Sequence, residues 1–158
     1  MFIWFYGIIM TRNVQGDGMK KTTDELINEI RRAGTIDKYL EGNGDEFIDK
    51  DIARSLNRII DSKCLKKSDV IKKTGLNEIY AYQILSGKKA PSRNKMIAFC
   101  FGMRLDVTEA QALLKRTKYP PLYRRDPRDS IIIFCIENKK NIIQCNTLLY
   151  DHGFETVE

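Results

Sequence analysis

Residues 67–87 read KSDVIKKTGLNEIYAYQILSG, and this stretch decides the fold. Two short segments with helical spacing of apolar residues flank Thr74-Gly75-Leu76-Asn77. A sharp turn between helices packed at a wide angle needs a residue that tolerates positive φ, which Gly75 supplies. Leu76 can plug the gap between the helices, and Asn77 is suited to cap the second one. Ala81 is small where the second helix must press against the first, and Ile84 and Leu85 anchor it. Glu78, Ile79, Tyr82 and Gln83 are left facing outward. Gly87 follows the last turn, as a C-terminal cap should.

The flanking sequence is helical in pattern. Upstream, Thr22–Arg32 places Leu26, Ile27 and Ile30 on one face, with Thr22 or Thr23 as cap and Gly34 as stop. Thr35–Glu41 reads as a further short turn of helix, and Gly42-Asn43-Gly44 as a break. Phe47–Ser62 reads as an amphipathic helix through Ile48, Ile52, Leu56, Ile59 and Ile60. Downstream, Pro91-Ser92 opens a helix over Arg93–Met103, and Asp106 or Thr108 opens one through Arg116. Tyr119-Pro-Pro-Leu-Tyr123 must be extended, because adjacent prolines exclude helix. Asp126–Lys139 and Asn141–His152 form a helical tail ended by Gly153. Within it, Ile131–Ile136 has the β-branched content of a strand. Pro127 at the start, nearby acids and Lys139-Lys140 at the end favour helix. The fold class expected is all-α.

The chain has 158 residues, 42% apolar and 30% charged, with a formal net charge of +6. This suits a globular protein with its own core rather than a disordered tail. The charge is concentrated: residues 62–104 hold ten Lys and Arg against two acids, Asp69 and Glu78. Such a segment favours a polyanionic partner, nucleic acid first. The four cysteines, Cys64, Cys100, Cys135 and Cys145, form no Cys-x-x-Cys pair and read as reduced, mostly buried residues of a cytoplasmic protein. One histidine, His152, and dispersed cysteines give poor material for a catalytic triad or zinc site. No phosphate-cradling glycine loop occurs. No enzyme activity, metal or cofactor is expected.

The turn TGLN, the helix NEIYAYQILSG and the following GKKAPSRNKMIAFCFGM together resemble the phage-repressor-like (XRE-type) helix-turn-helix family, over roughly residues 47–117. The resemblance implies a five-helix repressor-like domain within residues 46–118, whose third helix, about residues 77–86, enters the DNA major groove. It places Glu78, Ile79, Tyr82 and Gln83 at base edges, with Gln83 suited to bidentate pairing with adenine. Asn77, Lys88, Lys89, Ser92 and Arg93 would hold phosphates. The implied protein is a bacterial transcriptional regulator, binding double-stranded DNA as a homodimer. Three positions depart from the family: Glu78 replaces a basic or neutral polar residue, Ile79 a small polar one, and Lys67 a glutamine. These departures suit an alternative, a protein-binding adaptor or inhibitor, antitoxin-like or phage-related, on the same scaffold. Within the linker and tail, residues 119–158, the stretch LYRRDPRDSIIIFCIENKKNIIQCNTLLYDHGFETV (122–157) resembles the C-terminal part of short helix-turn-helix proteins from Gram-positive bacteria. Its Ile131, Ile132, Phe134, Leu148, Leu149 and Phe154 either pack back on the first helices as core or form a dimer surface. Arg124, Arg125 and Arg128 either extend the basic surface or bridge tail to body.

Residues 19–45 read as an N-terminal helical extension. Residues 1–18 differ from all that follows: MFIWFYGIIM is bulky and apolar, and Arg12 and Asp17 are the only charges before Met19. Ten residues cannot cross a bilayer, which takes roughly 20. The run lacks the basic start and small-residue cleavage site of a secretory signal. A short interfacial anchor is one reading; a translated leader is the other. Gln-Gly-Asp-Gly-Met can be encoded as CAAGGAGATGGTATG, which contains a ribosome-binding sequence just before an ATG. Under that reading intact-mass analysis of the native protein finds a dominant species starting at Met19; one starting at Met1 contradicts it.

Overall fold

The computed structural model describes residues 21–43 and 51–157. The expectations for residues 1–18 and for Phe47–Lys50 lie outside these. Among the described residues the chain is all-α: α1 Thr23–Arg32, α2 Ile36–Gly42, α3 Ile52–Ser62, α4 Lys67–Thr74, α5 Glu78–Leu85, α6 Arg93–Gly102, α7 Val107–Arg116, α8 Pro127–Glu137 and α9 Ile142–Asp151. None of these helices is long and apolar enough to cross a membrane.

Helix starts follow short polar side chains, except α4, which follows Lys66 with no side-chain cap. Thr22 caps α1 in a reciprocal box with Glu25, and Asp106, rather than Thr108, does the same for α7 with Glu109. The box draws the Glu25 carboxyl below its usual range, chiefly through the Thr22 backbone N–H. Asn141 and Gln144 repeat the arrangement at α9. One expected start moves. Asp51 is extended, at φ −91° and ψ 95°, and its carboxylate accepts from Arg54 N at 3.1 Å, so α3 begins at Ile52 rather than Phe47. An aspartate before an apolar-periodic run satisfies an orphan N–H better as a cap than inside the helix. The β-branched run Ile131–Ile136 is helical throughout, with Asp126 as cap and Pro127 in the first turn.

Helix ends show what the sequence concealed. Gly75, Gly87 and Gly153 are left-handed, at φ 71°, 78° and 75°. Cys64, Arg104, Lys118 and Lys139 adopt the same conformation at φ 52°, 52°, 63° and 52°. After each, the next N–H reaches back five residues along the chain: Leu65 to Ile60 O, Leu105 to Cys100 O, Tyr119 to Leu114 O and Lys140 to Cys135 O, at 2.8–3.0 Å. This is the Schellman closure, and Leu65, Leu105 and Tyr119 also bring apolar side chains against the core.

One core cluster runs from Leu56 of α3 to Val157 beyond α9 and includes Phe99, Met96, Ile97, Leu114, Ile132 and Leu149. Neither α1 nor α2 contributes to it. The tail is therefore core, but its seat differs from expectation. It packs on α6 and α7 rather than on the first helices, because Ile132, Cys135, Leu149 and Val157, all with no exposure, close over that side. Ile131, Leu148 and Phe154 are half-buried against the cluster, and Phe134 stays exposed. Cys100, Cys135 and Cys145 are buried and Cys64 is exposed, all as free thiols. Burial pushes Cys100 up to about 12 and raises Cys135 and Cys145, so these three are packing groups rather than nucleophiles.

The tightest helix contact is α4 against α6. A Cβ on Gly102 would stand 2.7 Å from both the Val70 carbonyl oxygen and Thr74 Cγ2. Helix propensity alone would make Gly102→Ala stabilising by about 1 kcal/mol. The contact reverses the sign, and a net loss of about 1–3 kcal/mol is expected. Lys118→Gly should gain about 0.5–1 kcal/mol, the left-handed cost of an L-residue less the extra chain entropy of glycine. Urea denaturation midpoints check both, and signs opposite to these contradict the packing described.

Candidate nucleic-acid interface

The α4–α5 connection is built from short-range bonds. Gly75 is left-handed, Thr74 Oγ1 donates to Ile71 O at 2.6 Å and accepts from Leu76 N at 3.2 Å, and Asn77 Oδ1 accepts from Tyr80 N at 3.1 Å. Leu76 is half-buried against the core, in the gap between the helices. On α5, Ala81, Ile84 and Leu85 are buried. The far end of α5 is tied to α3: Asn57 Nδ2 donates to Leu85 O at 2.8 Å and to Ala53 O at 2.7 Å. Nothing in the sequence pattern singled out Asn57, which lies among the half-buried positions of an amphipathic helix.

The opposite face of α5 is open. Ile79 is 71% exposed and Tyr82 42%; Glu78 is exposed and Gln83 half-buried. Spacings of three and four residues put Ile79, Tyr82 and Gln83 on one stripe, with Glu78 beside Tyr82. Glu78 stands in the first turn, where the helix dipole favours a carboxylate irrespective of any partner. Lys88 and Lys89 are exposed just past the C-terminus, where both backbone N–H groups bond Gln83 O, at 2.9 and 3.2 Å. Ser92 is exposed and caps α6, its Oγ accepting from Lys95 N at 3.4 Å. Among the described residues, the ion pairs formed leave Lys72, Lys73, Lys88 and Lys89 without a carboxylate partner.

Eight of the nine residues expected at the interface thus have accessible positions on or beside α5. Arg93 does not behave as expected. Its guanidinium grips the Asp129 carboxylate through both terminal nitrogens, at 3.1 and 2.7 Å, and donates to the Pro120 and Pro121 carbonyls at 2.9 and 3.1 Å. Four of its five N–H donors are engaged inside the fold, and the Asp129 side chain is only 8% exposed. Arg93 is therefore a clamp between the start of α6 and the tail, not a free phosphate ligand. Asp129 also accepts from Tyr123 N at 2.9 Å, and the Tyr119 hydroxyl donates to the Pro91 carbonyl, so the proline segment is held on both sides.

Arg128 serves the same closure. It bridges Asn94 Oδ1 at 3.0 Å to the Glu155 and Thr156 carbonyls at 2.8 and 3.0 Å. It joins tail to body as expected of one reading, but through carbonyls and an amide rather than acids of the N-terminal part. Arg124 and Arg125 are exposed. Among the described residues no group of three or more His, Cys, Asp and Glu is placed to hold a metal ion.

Removing one member of the Arg93–Asp129 pair leaves a buried carboxylate without its counter-ion. Arg93→Ala should cost on the order of 3 kcal/mol of stability. Arg93→Lys should recover only part of it, because an ammonium cannot reproduce the fork. Thermal unfolding measures both; an Arg93→Ala protein as stable as the parent contradicts the clamp.

The chain matches no protein-family model, no curated protein and no solved structure.

Proposed function

We propose that the protein is a bacterial, cytoplasmic transcriptional regulator that lays α5 in the major groove of double-stranded DNA, with α3–α7 forming a repressor-like, XRE-type five-helix domain. The observation that carries this reading is the two-sidedness of α5. One face is locked into the core and tied to α3, while Glu78, Ile79 and Tyr82 stand open with half-buried Gln83, beside Lys88 and Lys89, which form no ion pair among the described residues. A short helix held rigidly with an uncommitted polar and aromatic face, next to free cations, is what groove recognition requires.

In this reading Gln83 pairs with a base edge, Tyr82 meets phosphate or a thymine methyl, and Ile79 packs on a methyl group. Asn77, Lys88, Lys89 and Ser92 face the backbone, and Arg93 acts only through the fold. The protein binds as a homodimer across two half-sites, since one short helix reads few base pairs. A second reading has its own observation. Ile79 at 71% exposure and Tyr82 at 42% form an apolar pair beside Glu78, which suits an adaptor or inhibitor that binds a protein through the same face.

Salt separates the two. DNA affinity should fall steeply as salt rises, whereas burial of an apolar patch responds little. In fluorescence anisotropy, Lys88→Ala with Lys89→Ala should weaken binding to all duplexes alike and lower the salt slope by about 2. Gln83→Ala should cost about 1–3 kcal/mol on a preferred sequence and relax preference at one base pair. Absence of DNA binding at low salt contradicts the regulator and favours the adaptor.

A further inference from the structure

Away from α5's open face, a cleft of about 760 Å³ lies where the C-terminal ends of α4, α6 and α8 meet the starts of α7 and α9. That volume falls in the range of sites for small organic ligands. Its walls combine two chemistries. Phe101, Leu105, Val107, Ile136 and Ile142 supply apolar surface, continuous with the core cluster. Lys72, Lys73, Arg104, Lys139 and Lys140 supply five cations. None of the five is in an ion pair among the described residues.

The opposing charges are few. Asp106 and Glu137 are the carboxylates of the lining, and the Asp106 carboxylate is already engaged as the cap of α7, accepting from Glu109 N at 2.8 Å. Three helix C-termini and two N-termini border the space, so their partial charges largely offset one another and the formal charges decide. The Cys100 thiol, also in the lining, is pushed up to about 12 by burial and offers no nucleophile.

We infer that this cleft is a binding site for a small amphipathic carboxylate, with the acid group held by Arg104 and the lysines and the apolar body on the Phe101–Ile142 side. An inorganic anion would leave the apolar wall empty and most of the volume unfilled. A duplex backbone could touch the lysines but could not enter to cover Leu105 and Ile136. Ile142 Cγ2 lies 3.5 Å from where a Cβ on Gly75 would stand, so the cleft shares a wall with the turn that leads into α5.

The backbone offers a clean test. Arg104 and Lys139 are both left-handed, at φ 52°, where glycine is at home. Arg104→Gly with Lys139→Gly therefore removes two of the cations without straining the turns. The full chain would be titrated with the fluorescent anion 8-anilinonaphthalene-1-sulfonate, followed by displacement with decanoate or with neutral 1-decanol. The expected result is one saturable site, displaced by decanoate far better than by 1-decanol. The double variant should bind about tenfold more weakly or worse, as expected for loss of charge-assisted contacts, with an unfolding midpoint no lower than the parent's. No saturable binding, equal affinity in the double variant, or equal displacement by 1-decanol overturns the assignment. So does a double variant that loses DNA affinity as severely as the Lys88 and Lys89 pair while keeping the dye site, which would assign the cations to DNA.

Discussion

The close approach of α4 to α6 at Gly102 is the constraint on which the remaining geometry depends. With Val70 O and Thr74 Cγ2 both 2.7 Å from a would-be Cβ, the C-terminal turn of α6 has room for hydrogen alone. That contact fixes α4, and α4 fixes the turn at Gly75. The turn in turn sets where α5 starts, while Asn57 holds where it ends, through its bond to Leu85 O. Eight helical residues could not persist alone in water, because helices so short are marginal without packing. The orientation of α5 is thus a property of α3, α4 and α6 together.

The tail completes this body rather than decorating it. Arg93 and Asp129 join the first residue of α6 to the first turn of α8 across the extended proline segment. Arg128 then ties α8 to Asn94 and to the chain end. The cationic side chains thus divide by role: Arg93, from the basic segment, and Arg128 hold the fold, whereas Lys88 has no carboxylate partner among the described residues. Charge density locates a candidate interface, but burial of the counter-charge decides which cations are free to serve it.

Much of this was legible in the sequence for identifiable reasons. Ala81, Ile84 and Leu85 were placed inward because helical spacing leaves them no other face, and Gly75 was placed in the turn because left-handed backbone favours glycine. The same logic failed at Cys64, Arg104, Lys118 and Lys139, which adopt that backbone without being glycine. There the Schellman hydrogen bonds, with a following apolar side chain at three of the four, outweigh a local preference of about 1–2 kcal/mol. The start of α3 is hard to read because Phe47 and Ile48 carry the apolar period on upstream, whereas Asp51 is the cap of Ile52–Ser62. The role of Arg93 is invisible to local pattern, because its partner lies 36 residues away. The role of Gly102 is equally hidden, since a glycine in the last turn of a helix declares a close contact only when its neighbour is known.

The proposed regulator would meet DNA through α5. The most direct measurement is an amide ¹H–¹⁵N titration of the full chain with a mixed-sequence duplex at low salt. Shifts concentrated at residues 77–89, reversed by added salt, are the predicted result. Shifts confined to α8 and α9, or no shifts at all, would contradict it.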